Sequence, residues 1–411
     1  MEEKIKQVQG GITAPMGFMA ASVAAGIKYE NRTDMAMIYS EKPCVSAGTY
    51  TTNVVKAAPV LWDKNLVDNH TYAQAVVINS GIANACTGRE GMECCEAVAG
   101  ETASLLGIPK ESVLLGSTGE IGVQIPVKKM QAGVKVLKEN LRSDIEAGTL
   151  AAKAIMTTDT HHKEIAFTFQ LNGVQATIGG MCKGSGMIHP NMCTMLAYIT
   201  TDVAISKELL QEALREDIQD TFNMVSVDGD TSTNDTVLLL ANGMAGNKEI
   251  QCKDENYHIF KEVLRTVNTY LARQMAGDGE GATALFEVKV EGAKNKEEAI
   301  LLSKSVVTSS LVKTAIAGHD ANWGRIFCAL GYSGVDFDPN KVELQFISKA
   351  GTIKIAENGV AVNFSEEEAT DILSQEEITA YINMHTGEGA ATAWGCDLTH
   401  EYISINADYR S

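Results

Sequence analysis

The chain is 411 residues long, 45% hydrophobic and 21% charged, a balance that fits an ordinary soluble enzyme with a large core in two or three lobes. Its formal net charge of −18 excludes nucleic acid as a natural partner, because phosphate binding needs concentrated Lys and Arg. No apolar run reaches the roughly 18 residues of a membrane span, and the polar first eleven residues lack the apolar core of a signal peptide, so cytoplasm is the expected compartment.

In chain order, residues 74–79 (QAVVIN) read as a short buried strand. Residues 92–106 read as a helix with Cys95, Val98, Ala99 and Leu106 on one face, stopped by Gly107 and Pro109. A second short strand is expected at 112–115. Pro126 then opens a helix whose apolar positions Val127, Met130, Val134, Leu137 and Leu141 recur by three and four. Residues 164–171 alternate, with Ile165, Phe167, Phe169 and Leu171 on one face; Asn172-Gly173 follows, then Val174, Ala176 and Ile178, the pattern of a hairpin. Residues 195–205 read as a strand, and Ser206 caps a helix carrying Leu209, Leu210, Ala213 and Leu214. Further on, Phe286, Val288 and Val290 mark a strand, and residues 342–364 read as strands around Gly351 and Asn358-Gly359. Ser365 and Glu368 form a capping-box pair before Ile372 and Leu373. The sum is a mixed α/β protein with no internal repeat and no linker.

Nine cysteines, an odd number without a C-x-x-C pair, support neither a disulfide framework nor a structural zinc site. Adjacent His161 and His162 would point opposite ways on a strand, a poor metal site. Three glycine-rich stretches remain. GSTGEIG (116–122) follows a strand and could aim several backbone N–H groups into one concavity, which suits an anion or a transient oxyanion. Residues 179–202, with Lys183-Gly184-Ser185, read at their plainest as a structural loop; the order of a phosphate loop is absent. GDGEGAT (277–283) reads as a surface turn whose acids could meet an ammonium or a metal, though it lacks the spacing of a calcium loop.

Long blocks distributed over the whole chain carry a resemblance: GITAPMGFMAA (11–21), VINSGIANACTG, GSTGEIG, AIMTTDT, KGSGMIHPNMCTML, SVDGDTSTNDT, GDGEGAT, SSLVKTAIAGHDANWGRI, ATAWGCDLT and the terminal NADYRS. In these the chain resembles the ornithine acetyltransferase family, the bifunctional glutamate N-acetyltransferases of arginine biosynthesis. The resemblance implies a mixed α/β fold shared with self-processed aminopeptidase-like enzymes. It also implies self-cleavage at Cys193–Thr194, giving an alpha piece of 1–193 and a beta piece of 194–411 that stay associated, commonly as α2β2.

Thr194 would then be the nucleophile, its freed α-amine (ordinary pKa about 8) taking the hydroxyl proton. Thr118 and Gly119 would form the oxyanion hole. By the same resemblance Thr157, Lys183, Thr194, Glu280, Asn406 and Ser411 line the substrate site. Lys183 suits an α-carboxylate and Glu280 the ornithine ammonium. The expected reaction moves acetyl from N-acetylornithine to glutamate by a ping-pong route, with no cofactor and no metal; acetyl-CoA is a second donor that some members accept. Two positions depart from the family, Cys193 where Ala is usual and His189 where a small residue is common. The thiols leave a rival reading in which Cys193 or Cys182 is the reactive group. Another has water accept the acyl group, making the chain an amidohydrolase or aminopeptidase of the same architecture. A third is a non-catalytic assembly or regulatory protein that keeps the fold.

Overall fold

A computed structural model describes residues 5–189 and 195–408. Its strands, in chain order, are β1 (Ile5–Val8), β2 (Phe18–Val23), β3 (Met35–Tyr50), β4 (Tyr72–Asn79), β5 (Val113–Ser117), β6 (Lys163–Leu171), β7 (Val174–Lys183), β8 (Leu196–Thr201), β9 (Val225–Ser226), β10 (Thr236–Ala241), β11 (Leu285–Ala293), β12 (Glu343–Ser348), β13 (Gly351–Glu357), β14 (Val360–Ala361), β15 (Glu377–Asn383) and β16 (Gly389–Cys396). The helices are α1 (Ala58–Asn69), α2 (Gly88–Leu106), α3 (Val127–Glu139), α4 (Ile145–Ala154), α5 (Lys207–Ile218), α6 (Glu255–Gly277), α7 (Lys296–Val307), α8 (Ser310–Ala317), α9 (Trp323–Gly331), α10 (Glu366–Leu373) and α11 (His400–Asp408). No single helix among the described residues is long and apolar enough to cross a membrane.

The strands form two mixed sheets. A nine-stranded sheet runs β1-β6-β7-β8-β10-β3-β4-β5, with β2 also on β3; a seven-stranded sheet runs β14-β13-β12-β15-β11-β16-β9. The 164–178 hairpin is present as expected: Leu171 pairs with Val174 across a two-residue turn. Asn172 and Gly173 take φ +50° and +84° there, the left-handed pair that such a turn needs. The expected strand at 195–205 ends at Thr201; Ile205 makes only an isolated bridge to Ile250. The expected helix at 92–106 starts earlier, at Gly88, and ends at a left-handed Gly107. Ser206 accepts from the Leu209 N–H and Ser365 from the Glu368 N–H, so both serine caps form, without the reciprocal Glu368 side-chain bond that would complete the expected capping box.

Helix α6 ties the sheets together. It packs on β6 and β7 of the first and on β9, β11 and β16 of the second, with Phe260, Leu264, Val267 and Leu271 in the core that both share. Asp254 caps its start by accepting from the Tyr257 N–H. Its last residue, Gly277, delivers the chain directly to Asp278 and Glu280. On the other side, α1 and α2 cover β5, the strand from which the 118–122 turn departs.

Candidate active site

A cavity of about 210 Å³ lies where these segments converge. Thr118, Gly119, Thr157, Lys183, Glu280 and Asn406 all line it, together with Met195 and the 232–235 segment. Six residues anticipated at scattered positions of the chain are therefore neighbours in space. Thr194, Cys193 and Ser411, with Pro190, lie outside the described residues; Met195, the residue after Thr194, is on the cavity wall.

The 118–122 turn is held against the loop after β4. Thr118 N–H donates to Asn79 O, Glu120 N–H to Gly81 O, and Gly122 N–H to Ala85 O. Gly119 sits at φ +128°, and a β-carbon there would stand 2.2 Å from the Gly81 carbonyl carbon. Only glycine fits, for both conformation and space. Asn234, which received no role from the sequence, donates from Nδ2 to Ala83 O (2.6 Å) and Ser117 O (2.8 Å) and so joins both loops.

On the opposite wall, Lys183 closes β7 and donates from Nζ to Thr157 Oγ1 at 2.7 Å. Beneath it lies Asp159, whose oxygens accept from the Thr157 and Gly184 N–H groups and from Lys163 Nζ. Lys163 also pairs with Asp278. Burial opposes charge on Asp159, but Lys183 and Lys163 outweigh it and hold the carboxyl below its usual range. Burial pulls Lys183 down, with Asp159 opposing. Lys163 is raised because Asp159 and Asp278 outweigh its burial. The 277–283 segment is thus not the surface turn expected from its composition. Asp278 is buried, accepting from Thr160 N–H and Oγ1 as well as from Lys163.

Glu280 is set by its backbone and its side chain. Its N–H donates to Ser185 O, and its Oε2 accepts from Asn406 Nδ2 at 2.7 Å. Gly186 leaves room for the carboxylate, since a β-carbon there would lie 2.4 Å from it. Thr158 and Ser185 share a hydroxyl–hydroxyl bond at the same edge.

Both flanks of 190–194 are anchored by the segment 226–236, the SVDGDTSTNDT block. Asp228 accepts from the Met187 and Ile188 N–H groups. Thr231 Oγ1 donates to His189 O, and Thr236 N–H donates to Met195 O. The sequence signal for this block was its density of Asp, Ser, Thr and Asn, residues that bond backbone groups in turns. Of the rival thiols, Cys182 is fully buried, and burial pushes it up to about 12, which leaves it an inert thiol rather than a thiolate. His161 and His162 precede β6 and contact different carboxylates, Asp278 and Glu164.

The model of the ArgJ family matches residues 19–411. The arginine biosynthesis bifunctional protein ArgJ 1 of Clostridium acetobutylicum is 50% identical over 396 residues, 96% of this chain and 96% of that one. The ArgJ protein of Thermotoga neapolitana is 48% identical over 398 residues, 97% of this chain and 99% of its own. A crystal structure of the Bacillus halodurans arginine biosynthesis bifunctional protein ArgJ aligns with a TM-score of 0.50 at 45% identity, covering 53% of this chain and 100% of that one. A mixed α/β fold with a cavity at its loop ends, lined by Lys183, Glu280 and the Thr118-Gly119 turn, is the setting of an enzyme site. This chain belongs to the ArgJ family.

Proposed function

We propose that the chain cleaves itself before Thr194 and then transfers acetyl from N2-acetylornithine to glutamate. The observation that carries this is the convergence of Lys183, Glu280 and the Thr118-Gly119 turn on one cavity whose wall includes Met195. In the cleavage step, Thr194 Oγ bonds to the Cys193 carbonyl carbon, the C–N bond breaks, and the hydroxyl proton passes to the departing amine. Water then hydrolyses the ester. Clamps on His189 O and Met195 O support this reading, since they fix both approaches to the bond. The length of the Bacillus halodurans chain supports it too: 53% of this chain is the share that residues 194–411 make of the 411.

The exposed α-amine accepts the Thr194 hydroxyl proton as Oγ attacks the acetyl carbonyl. The Thr118 hydroxyl and the Gly119 N–H donate to the oxyanion, the Thr118 N–H being engaged by Asn79 O. The tetrahedral adduct collapses, its C–N bond breaks, and the protonated amine of ornithine leaves an acetyl-threonine ester. Glutamate's amine then takes the acetyl group and Thr194 Oγ regains its proton. Lys183 holds the α-carboxylate common to both substrates, Thr157 steadies Lys183, and Glu280 with Asn406 meets the ornithine ammonium; Ser411 completes the pocket.

The two pieces stay joined because β8 and β10, which follow the cut, are hydrogen-bonded to β7 and β3, which precede it. We infer an α2β2 assembly, as the family resemblance implies, working in the cytoplasm. The word bifunctional in those names supports acetyl-CoA as a second donor to glutamate, which an assay with acetyl-CoA and glutamate alone reads directly. The main test mixes protein, acetylornithine and glutamate. Equal amounts of ornithine and acetylglutamate are expected; free acetate without acetylglutamate would favour hydrolysis instead.

A further inference from the structure

We propose that Lys163 is a positioning residue for the substrate site: by occupying Asp159, with Asp278 as its own counterion, it keeps the Lys183 ammonium available to a ligand carboxylate. This rests on the role given to Lys183 above.

The geometry is that of a buried acceptor with three donors on its roughly four lone-pair sites, two on Oδ1 and one on Oδ2. The Asp159 side chain is 0% exposed. It accepts from Thr157 N–H at 3.0 Å, Gly184 N–H at 2.7 Å and Lys163 Nζ at 2.8 Å. Lys183 Nζ stands 3.9 Å from Asp159 Oδ2, beyond hydrogen-bond reach. Among the described residues its hydrogen bond is the single one to Thr157 Oγ1, while an ammonium carries three donors. Among the described residues, Lys183 therefore reaches the cavity wall with bonding capacity unspent, although a buried carboxylate lies beside it.

Charge balance explains why Lys163 is needed. Asp159 and Asp278 are matched by Lys163 and Lys183, so the buried group is neutral. Without Lys163, two buried carboxylates would face one ammonium. The nearest compensation is a movement of Lys183 Nζ by about 1 Å onto Asp159, to ordinary hydrogen-bond distance. That movement withdraws the charge from the cavity. Lys163 and Asp159 precede the proposed cut and Asp278 follows it, so the same ion pair would also tie the alpha piece to the beta piece beside the site.

The test is the double variant Lys163→Met with Asp278→Asn, which leaves Asp159 and Lys183 as a neutral pair. It should fold and self-cleave, yet lose the occupant of Asp159. The expected result is a KM raised about tenfold or more for both acetylornithine and glutamate, the worth of one charge-assisted hydrogen bond, with kcat within about threefold. Calorimetric binding of ornithine, which needs no turnover, should weaken by the same factor. Unchanged KM and unchanged ornithine binding in folded, cleaved protein would overturn the proposal. Should the double variant not fold, Lys163→Met alone decides: a KM raised about tenfold for both substrates with weakened ornithine binding supports the proposal, and both unchanged in folded protein contradict it. Wild-type protein that binds ornithine but makes no acetylglutamate would refute the transfer reading and leave Lys163 to be judged by the calorimetry.

Discussion

Replacing Gly119 with alanine separates self-cleavage from transfer. The added β-carbon would fall 2.2 Å from the Gly81 carbonyl carbon and 2.4 Å from its oxygen. Both are backbone atoms pinned by the Glu120 N–H bond to Gly81 O, so no side-chain rotation relieves the overlap. Ordinary contact begins near 3.4 Å, which requires the 118–122 turn to retreat by about 1 Å. The residue must also hold φ +128°, a conformation that alanine resists. A donor displaced that far no longer reaches a developing oxyanion, and one such donor is typically worth about 3–4 kcal/mol, or a 10²–10³-fold loss of kcat. The assay follows acetylglutamate formation under saturating acetylornithine and glutamate, with the cleaved fraction of the same sample measured on a gel. Activity per cleaved chain should fall by that factor. A cleaved Gly119→Ala protein within threefold of wild-type kcat would refute the assignment of this turn as the donor.

Other expectations follow from single sites. Gly186→Ala would place a β-carbon 2.4 Å from the Glu280 carboxylate; the carboxylate turns away from Asn406, and KM should rise roughly tenfold for acetylornithine but little for glutamate, with equal rises contradicting the role of Glu280. Cys182→Ala should keep kcat within about twofold of wild type, because its buried thiol is protonated; loss of activity in folded protein would revive the thiol reading. Asp63 is buried with Oδ2 unbonded among the described residues, and burial raises its carboxyl well above the usual range while the Leu115 N–H bond opposes. A raised folded pKa means stability is fully present below the unfolded value near 4 and is lost as pH climbs towards the folded one. Asp63→Asn should therefore gain on wild type by up to about 1.4 kcal/mol per pH unit above pH 4, until the folded pKa is passed. Parallel melting curves from pH 4 to 7 check this, and a constant difference between the two proteins would contradict it.

Local patterns were legible where local physics decides. Asn172-Gly173 specified its hairpin because the turn needs two left-handed residues, and Ser206 and Ser365 specified helix starts through one side-chain bond each. The long strand β3 was not legible: Pro43 and Gly48 interrupt it, and its register against β4 shifts between Tyr39 and Cys44, so no simple alternation is visible. The site divides in the same way. Its glycine-rich stretches were visible as strings, and the resemblance supplied six residues that the fold brings together. Asp278 was misread because acid beside glycine looks like a solvated turn. Its partner carried the missing signal: Lys163 falls on the same strand face as Ile165 and Phe169, and a charge at a core position must find a counterion. That the counterion is 115 residues away is a property of the tertiary fold, which pattern alone does not contain.

The most direct measurement is the amino-terminal sequence of the catalytically active protein. Self-cleavage before the nucleophile predicts a polypeptide beginning Thr-Met-Leu alongside one beginning at the original terminus, with activity proportional to the first. Full acetyl transfer by an unbroken 44.0 kDa chain would contradict the account.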